Sequence, residues 1–104
     1  MDILIIDDEG NLRRMLRSLL EGEGYSVREA ESAEEGIREV GREVPETILL
    51  DLMLPGISGL EALPRIGDLA PGVPVVMMSG KATLGDAVQA TRLGAFHFVE
   101  KPLT

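Results

Sequence analysis

Short apolar runs separated by amphipathic stretches set the pattern of this chain. The runs are ILII at 3–6, TILL at 47–50, VPVVMM at 73–78 and AFHFV at 95–99, with a weaker alternating stretch, YSVREA, at 25–30. Runs this short and this continuous predict strands buried on both faces, as in a parallel sheet covered by helices. Between the first run and the alternating one, Leu12, Met15, Leu16, Leu19 and Leu20 recur at helical spacing, which predicts a helix that lays one apolar stripe on the sheet. Ser32–Glu35, Ser58–Glu61 and Thr83–Asp86 each fit S/T-x-x-E/D, the pattern that satisfies free amides at a helix start, so three more helices are expected there. Gly22, Gly24 and Gly94 stand where helices should end. Pro64 predicts that the helix opened by Ser58 is short or kinked. Strands alternating with helices, joined by right-handed crossovers, make an open α/β sheet with helices on both faces.

Composition narrows the function classes. The 104 residues, 44% hydrophobic, suffice for one domain with a small core. A net charge of −8 argues against nucleic-acid binding by this chain, because phosphate backbones are held by clustered basic residues. Arg13, Arg14 and Arg17 are the one local basic cluster and read as a solvated helix face. The absence of cysteine removes thiolate metal sites and disulfides and fits a reducing compartment. MDILII enters an apolar strand directly, so neither a signal peptide nor a membrane span is expected, and a cytoplasmic protein without membrane attachment is the default.

Open α/β sheets bind ligands beyond the carboxyl ends of their strands. Those ends here carry Asp7, Asp8 and Glu9; then Asp51; then Ser79 and Gly80; then Lys101 and Pro102. If the first and third strands are neighbours, Asp7, Asp8 and Asp51 come close enough to repel one another and call for a cation. Clustered carboxylates without thiolates, beside a single His97, suit Mg2+. Each feature alone has an ordinary reading: Asp8 or Glu9 as a helix cap, Ser79 as a loop residue, Lys101 as a surface lysine, His97 as a strand residue, and Met53, Met77 and Met78 as packing. Asp51, flanked by apolar residues on both sides, fits a turn poorly, and the conjunction carries the argument.

The segments LIIDDE at 4–9, ILLDLMLPGISGLE at 48–61, VVMMSG at 75–80 and GAFHFVEKPL at 94–103 resemble the receiver domain of bacterial two-component response regulators, the CheY-like domain. The stretch SGKATLGDAVQATRLGAFHFVEKPL looks most like receivers of enhancer-binding transcriptional activators. The resemblance implies a flavodoxin-like strand order 2-1-3-4-5 and a phosphoacceptor switch rather than an enzyme. Asp51 would be the nucleophile, exposed at the rim, taking a phosphoryl group from a sensor histidine kinase or phosphotransfer protein. Mg2+ would be bound by Asp8, Asp51 and the backbone carbonyl of Met53, with Asp7 acting through water. Lys101 and Ser79 would contact phosphoryl oxygens, and Ser79 with Phe98 would switch the surface of the fourth helix and fifth strand to control transcription. Phe98 stands where many relatives carry Tyr, and the Lys101–Pro102 peptide would be cis.

A receiver normally continues into a fifth helix, whereas this sequence stops at Thr104, so residues 1–104 read as a receiver truncated after strand five. A sheet face left partly bare would favour a homodimer. Two other readings stay open. A phosphate-independent interaction module would keep the fold without the chemistry. A Mg2+-dependent phosphohydrolase of the haloacid dehalogenase type would want a second Asp where Met53 stands. A flavin domain is disfavoured by the acidic loop after strand one.

Overall fold

The computed structural model describes residues 2–81 and 83–101. Five strands, β1 (Asp2–Ile6), β2 (Ser26–Ala30), β3 (Thr47–Asp51), β4 (Val75–Ser79) and β5 (His97–Glu100), alternate with four helices, α1 (Gly10–Gly22), α2 (Ala33–Arg42), α3 (Gly59–Leu69) and α4 (Leu84–Arg92). The strands form one sheet in the order β2-β1-β3-β4-β5. Every pairing is parallel. The doubly covered parallel sheet is therefore present, and β1 and β3 are neighbours as the acidic-cluster argument requires.

Alternation along each strand sorts the apolar residues into two cores. Leu4 and Ile6 of β1, Ile48 and Leu50 of β3, and Val75 and Met77 of β4 meet Ala33 and Val40 of α2, Ala62, Leu63 and Ile66 of α3, and Ala90 of α4. On the other face Ile3, Ile5, Val27 and Met78 meet Leu16 of α1, with Leu12, Leu20 and Leu49 partly buried around them. Three helices thus cover one face and, among the described residues, one covers the other.

The capping signals are realised. Ser58 and Thr83 each form a reciprocal capping box, with Glu61 and Asp86 respectively. Ser32 accepts from the Glu35 amide, while the Glu35 carboxylate turns to the Glu31 amide instead. Gly24 and Gly94 take positive φ just after α1 and α4, where a Cβ would be strained. Two expectations need correction. Of the two outcomes expected at Pro64, shortening does not occur: α3 runs through it to Leu69, with the capping box holding its start and Ala62, Leu63 and Ile66 anchoring it in the core. The α1 stripe is narrower than its spacing suggested, since Met15 and Leu19 are exposed and Leu12, Leu16 and Leu20 alone face the sheet. The expected truncation after strand five, the absent fifth helix and the cis peptide all concern residues 102–104, which lie outside the described residues.

Candidate functional site

The register delivers the functional side chains to one rim. β1 and β3 end side by side, with Ile6 opposite Leu50, so the chain leaves the sheet at Asp7 beside Asp51. β4 ends at Ser79, whose carbonyl accepts from the Lys101 amide at 2.8 Å, so the fifth strand's exit brings Lys101 alongside. Asp7, Asp51 and Ser79 are buried, and Asp8 is exposed. One carboxylate oxygen from each of Asp7, Asp8 and Asp51 lies within 4.8 Å of the other two.

Lys101 is the cation at the centre of this group. Its Nζ lies 2.9 Å from Asp7 Oδ2, 3.4 Å from Asp51 Oδ1 and 3.9 Å from Glu9 Oε2. Burial pushes the ammonium pKa down, but the hydrogen bond to Asp7 and the charge of Asp51 outweigh it and the net shift is upward. Asp51 moves up to about 6, first because it is buried and second because Asp7 is close. Lys101 and the Met53 amide, which donates to the Asp51 carboxylate, pull it partly back. For unit charges within 4.8 Å the repulsion between Asp7 and Asp51 is at least about 3.5 kcal/mol at an effective dielectric of ~20. One ammonium cannot balance three carboxylates.

The arrangement bears on several sequence expectations. Asp7, Asp8, Asp51 and Lys101 come together. Ser79 joins the same rim, and its hydroxyl accepts from the Lys81 amide at 3.2 Å. Met53 follows Asp51 in the loop with its side chain exposed, unlike the buried Met77 and Met78. Phe98 lies on β5, partly buried against the larger core, and His97 is an exposed strand residue. The helix-cap alternative for the acidic pair fails: Glu9 occupies the N-cap of α1 and makes no side-chain cap bond. Instead the Glu9 amide donates to Asp7 Oδ1 at 2.8 Å. The expected exposure of Asp51 is also corrected. Its side chain is only 5% exposed, ending β3 beside buried Asp7 with Lys101 Nζ 3.4 Å away.

Arg13 is the residue that the linear pattern misplaced. It is no member of a solvated face but is buried, its guanidinium held between the Asp7 carbonyl at 2.7 Å and Glu29 at 2.9 Å. Its spacing of three from Leu16 and seven from Leu20 puts it on the buried stripe, a signal that was there to be read.

The donor set fits a hard divalent cation: it consists of carboxylate oxygens, one of them exposed and able to admit an ion, in a group with excess negative charge. The model of the response regulator receiver domain family matches residues 3–104. The nitrogen assimilation regulatory protein NtrX of Azorhizobium caulinodans is 44% identical over 103 residues, covering 97% of this chain and 23% of that protein. The transcriptional regulatory protein GlrR of Escherichia coli is 37% identical over 101 residues, 97% of this chain and again 23% of the relative. This chain therefore spans about a quarter of the length of those regulators. Among solved structures, a response regulator from Burkholderia pseudomallei, with a phosphorylated aspartic acid, a calcium ion and citrate, superposes with a TM-score of 0.95 at 35% identity, covering 99% of this chain and 61% of the other. The receiver domain of NtrX from Brucella abortus gives 0.92 at 37% identity, covering 99% and 88%. Parallel strands in receiver order, an acidic rim with its lysine and a family match across nearly the whole chain agree: this chain belongs to the response regulator receiver domain family, the signalling domains of two-component systems.

Proposed function

We propose that this chain is a phosphoacceptor switch in which Asp51 receives a phosphoryl group from a histidine kinase or phosphotransfer protein. The observation that carries the reading is the convergence of Asp7, Asp8 and Asp51 with Lys101 on one rim. An Asp51 carboxylate oxygen forms a bond to phosphorus as the bond from phosphorus to the donor imidazole nitrogen breaks, giving an acyl phosphate. Mg2+ held by Asp8, Asp51 and the Met53 carbonyl, with Asp7 through water, would supply charge neutralisation for the transferring group. Lys101, already between Asp7 and Asp51, moves its ammonium to a phosphoryl oxygen. Ser79 exchanges its bond from the Lys81 amide for one to a phosphoryl oxygen, which frees the segment leading to α4. Phe98, packed on the main core from β5, follows by repacking without the hydrogen bond that a Tyr there would offer. The surface of α4 and β5 reports the change to an output that controls transcription, a reading supported by the likeness to a transcriptional regulatory protein, and the protein works in the cytoplasm.

The test is intact-mass analysis after incubation with Mg2+ and acetyl phosphate. One phosphoryl adduct is expected, absent in Asp51→Asn. Absence of an adduct from every donor tried, with the fold intact, would replace this reading with an interaction module, and turnover of assorted phosphate esters would replace it with a hydrolase.

A further inference from the structure

We infer, resting on the acidic rim being a cation site, that Arg13 is a positioning residue for that site: it fixes the Asp7–Asp8 peptide, and with it the direction from which Asp8 presents its carboxylate. Asp7 closes β1 with its amide bonded to the Ala30 carbonyl at 3.1 Å, the last bond tying this segment to β2. Beyond it the chain turns at once into α1. The Asp7 carbonyl accepts from Arg13 Nη1, at 2.7 Å between buried groups. The guanidinium is itself immobilised, because its Nε donates to Glu29 on β2 at 2.9 Å, and Glu29 is held from the other side by Arg17 at 2.8 Å. A chain of bonds thus runs from β2 through Glu29 and Arg13 to the peptide that precedes Asp8. Among the described residues Asp8 meets no comparable anchor of its own, and it is exposed at the head of the loop.

The electrostatic alternative predicts the opposite sign. A buried positive charge bonded to the Asp7 carbonyl disfavours another cation at the rim, so removing it would tighten Mg2+ binding if charge were all that mattered. A positioning role predicts that removal weakens it, because the ligands then lose their preset geometry.

The experiment is calorimetric titration of Mg2+ into the wild-type chain, Arg13→Ala, Arg13→Lys and the control Leu16→Ala, with exchange of the Asp8 and Glu9 amides measured without metal. Arg13→Ala is expected to weaken Mg2+ at least tenfold and to speed exchange of both amides. Arg13→Lys, which can keep the carbonyl bond but not the simultaneous grip on Glu29, should weaken it about threefold. Leu16→Ala lowers melting temperature on the same helix face yet should leave Mg2+ affinity unchanged. Affinity in Arg13→Ala equal to or tighter than wild type overturns the inference, as does a loss in Leu16→Ala that matches it. If Arg13→Ala fails to fold, an unchanged affinity in Arg13→Lys overturns it instead. A wild-type chain that takes up no Mg2+ sinks the cation reading itself, and with it this inference.

Discussion

Asp51 sits in the metal-free fold with its carboxyl raised to about 6, by burial first and by Asp7 second. A carboxyl that holds its proton more tightly folded than unfolded makes the native state bind more protons between pH 4 and pH 6. Stability therefore falls as pH rises through that window and stays lowered above it. Two pKa units correspond to at most about 3 kcal/mol. Metal-free Asp51→Asn should accordingly be more stable than wild type at pH 7.5, with the difference closing towards pH 4, as followed by urea denaturation without divalent ions. An Asn variant no more stable at pH 7.5 would show that Lys101 already neutralises the site. At this scale the rim was largely readable, because Asp7, Asp51, Ser79 and Lys101 each break or end an apolar run and strand ends are where such breaks converge. Arg13 was not read, because three arginines close in sequence look like one solvated face until each is assigned its angle around the helix. The depth of Asp51 was also beyond a linear pattern, since its neighbours Asp7 and Lys101 are distant in sequence.

Elements were legible where one local signal sufficed, as at the capping boxes of α3 and α4 and the glycines after α1 and α4. Shortening at Pro64 did not follow, because its local cost was weighed without the core contacts on either side of it. The helix α3 also shows how an element is seated against the site. Gly59, its first residue, lies against the β3 exit so closely that a Cβ would collide with the Asp51 carbonyl oxygen and come within 2.9 Å of both the Asp51 carbonyl carbon and Leu52 Cα. None of these backbone atoms can yield without moving Asp51. Gly59→Ala should cost about 1–3 kcal/mol, overriding the helix propensity that Ala gains. Gly67 in the same helix is exposed, with open space where a methyl would stand, so Gly67→Ala should stabilise by about 0.5–1 kcal/mol. Paired denaturant titrations decide the matter, and effects of the same sign would refute the seating argument.

For the molecule as a whole, charge is distributed unevenly between the two ends of the sheet. At the amino end Arg28 joins Asp2 at 2.8 Å and Glu39 at 3.3 Å, and Arg42 joins Glu39 at 2.8 Å, so two cations meet two carboxylates. At the carboxyl end Asp7, Asp8 and Asp51 share Lys101. A divalent cation at that end should therefore stabilise the entire fold by mass action, about 2.7 kcal/mol when free Mg2+ is 100-fold above its dissociation constant. Thermal melts with and without Mg2+ should show the rise in wild type and none in Asp8→Ala, whose metal-free stability should match or exceed wild type because Asp8 caps no helix. A metal-free Asp8→Ala that melts markedly lower would assign Asp8 a structural task. The bond between Lys101 and Asp7 spans 94 positions of sequence, nearly the full length of the chain. Its consequence appears during synthesis. Asp7, Asp8 and Asp51 leave the ribosome before Lys101, so these carboxylates have no ammonium from the exit of β5 to meet until that strand docks. On the phosphoacceptor reading, the complete site is therefore assembled only when β5 docks and brings Lys101 to Asp7 and Asp51.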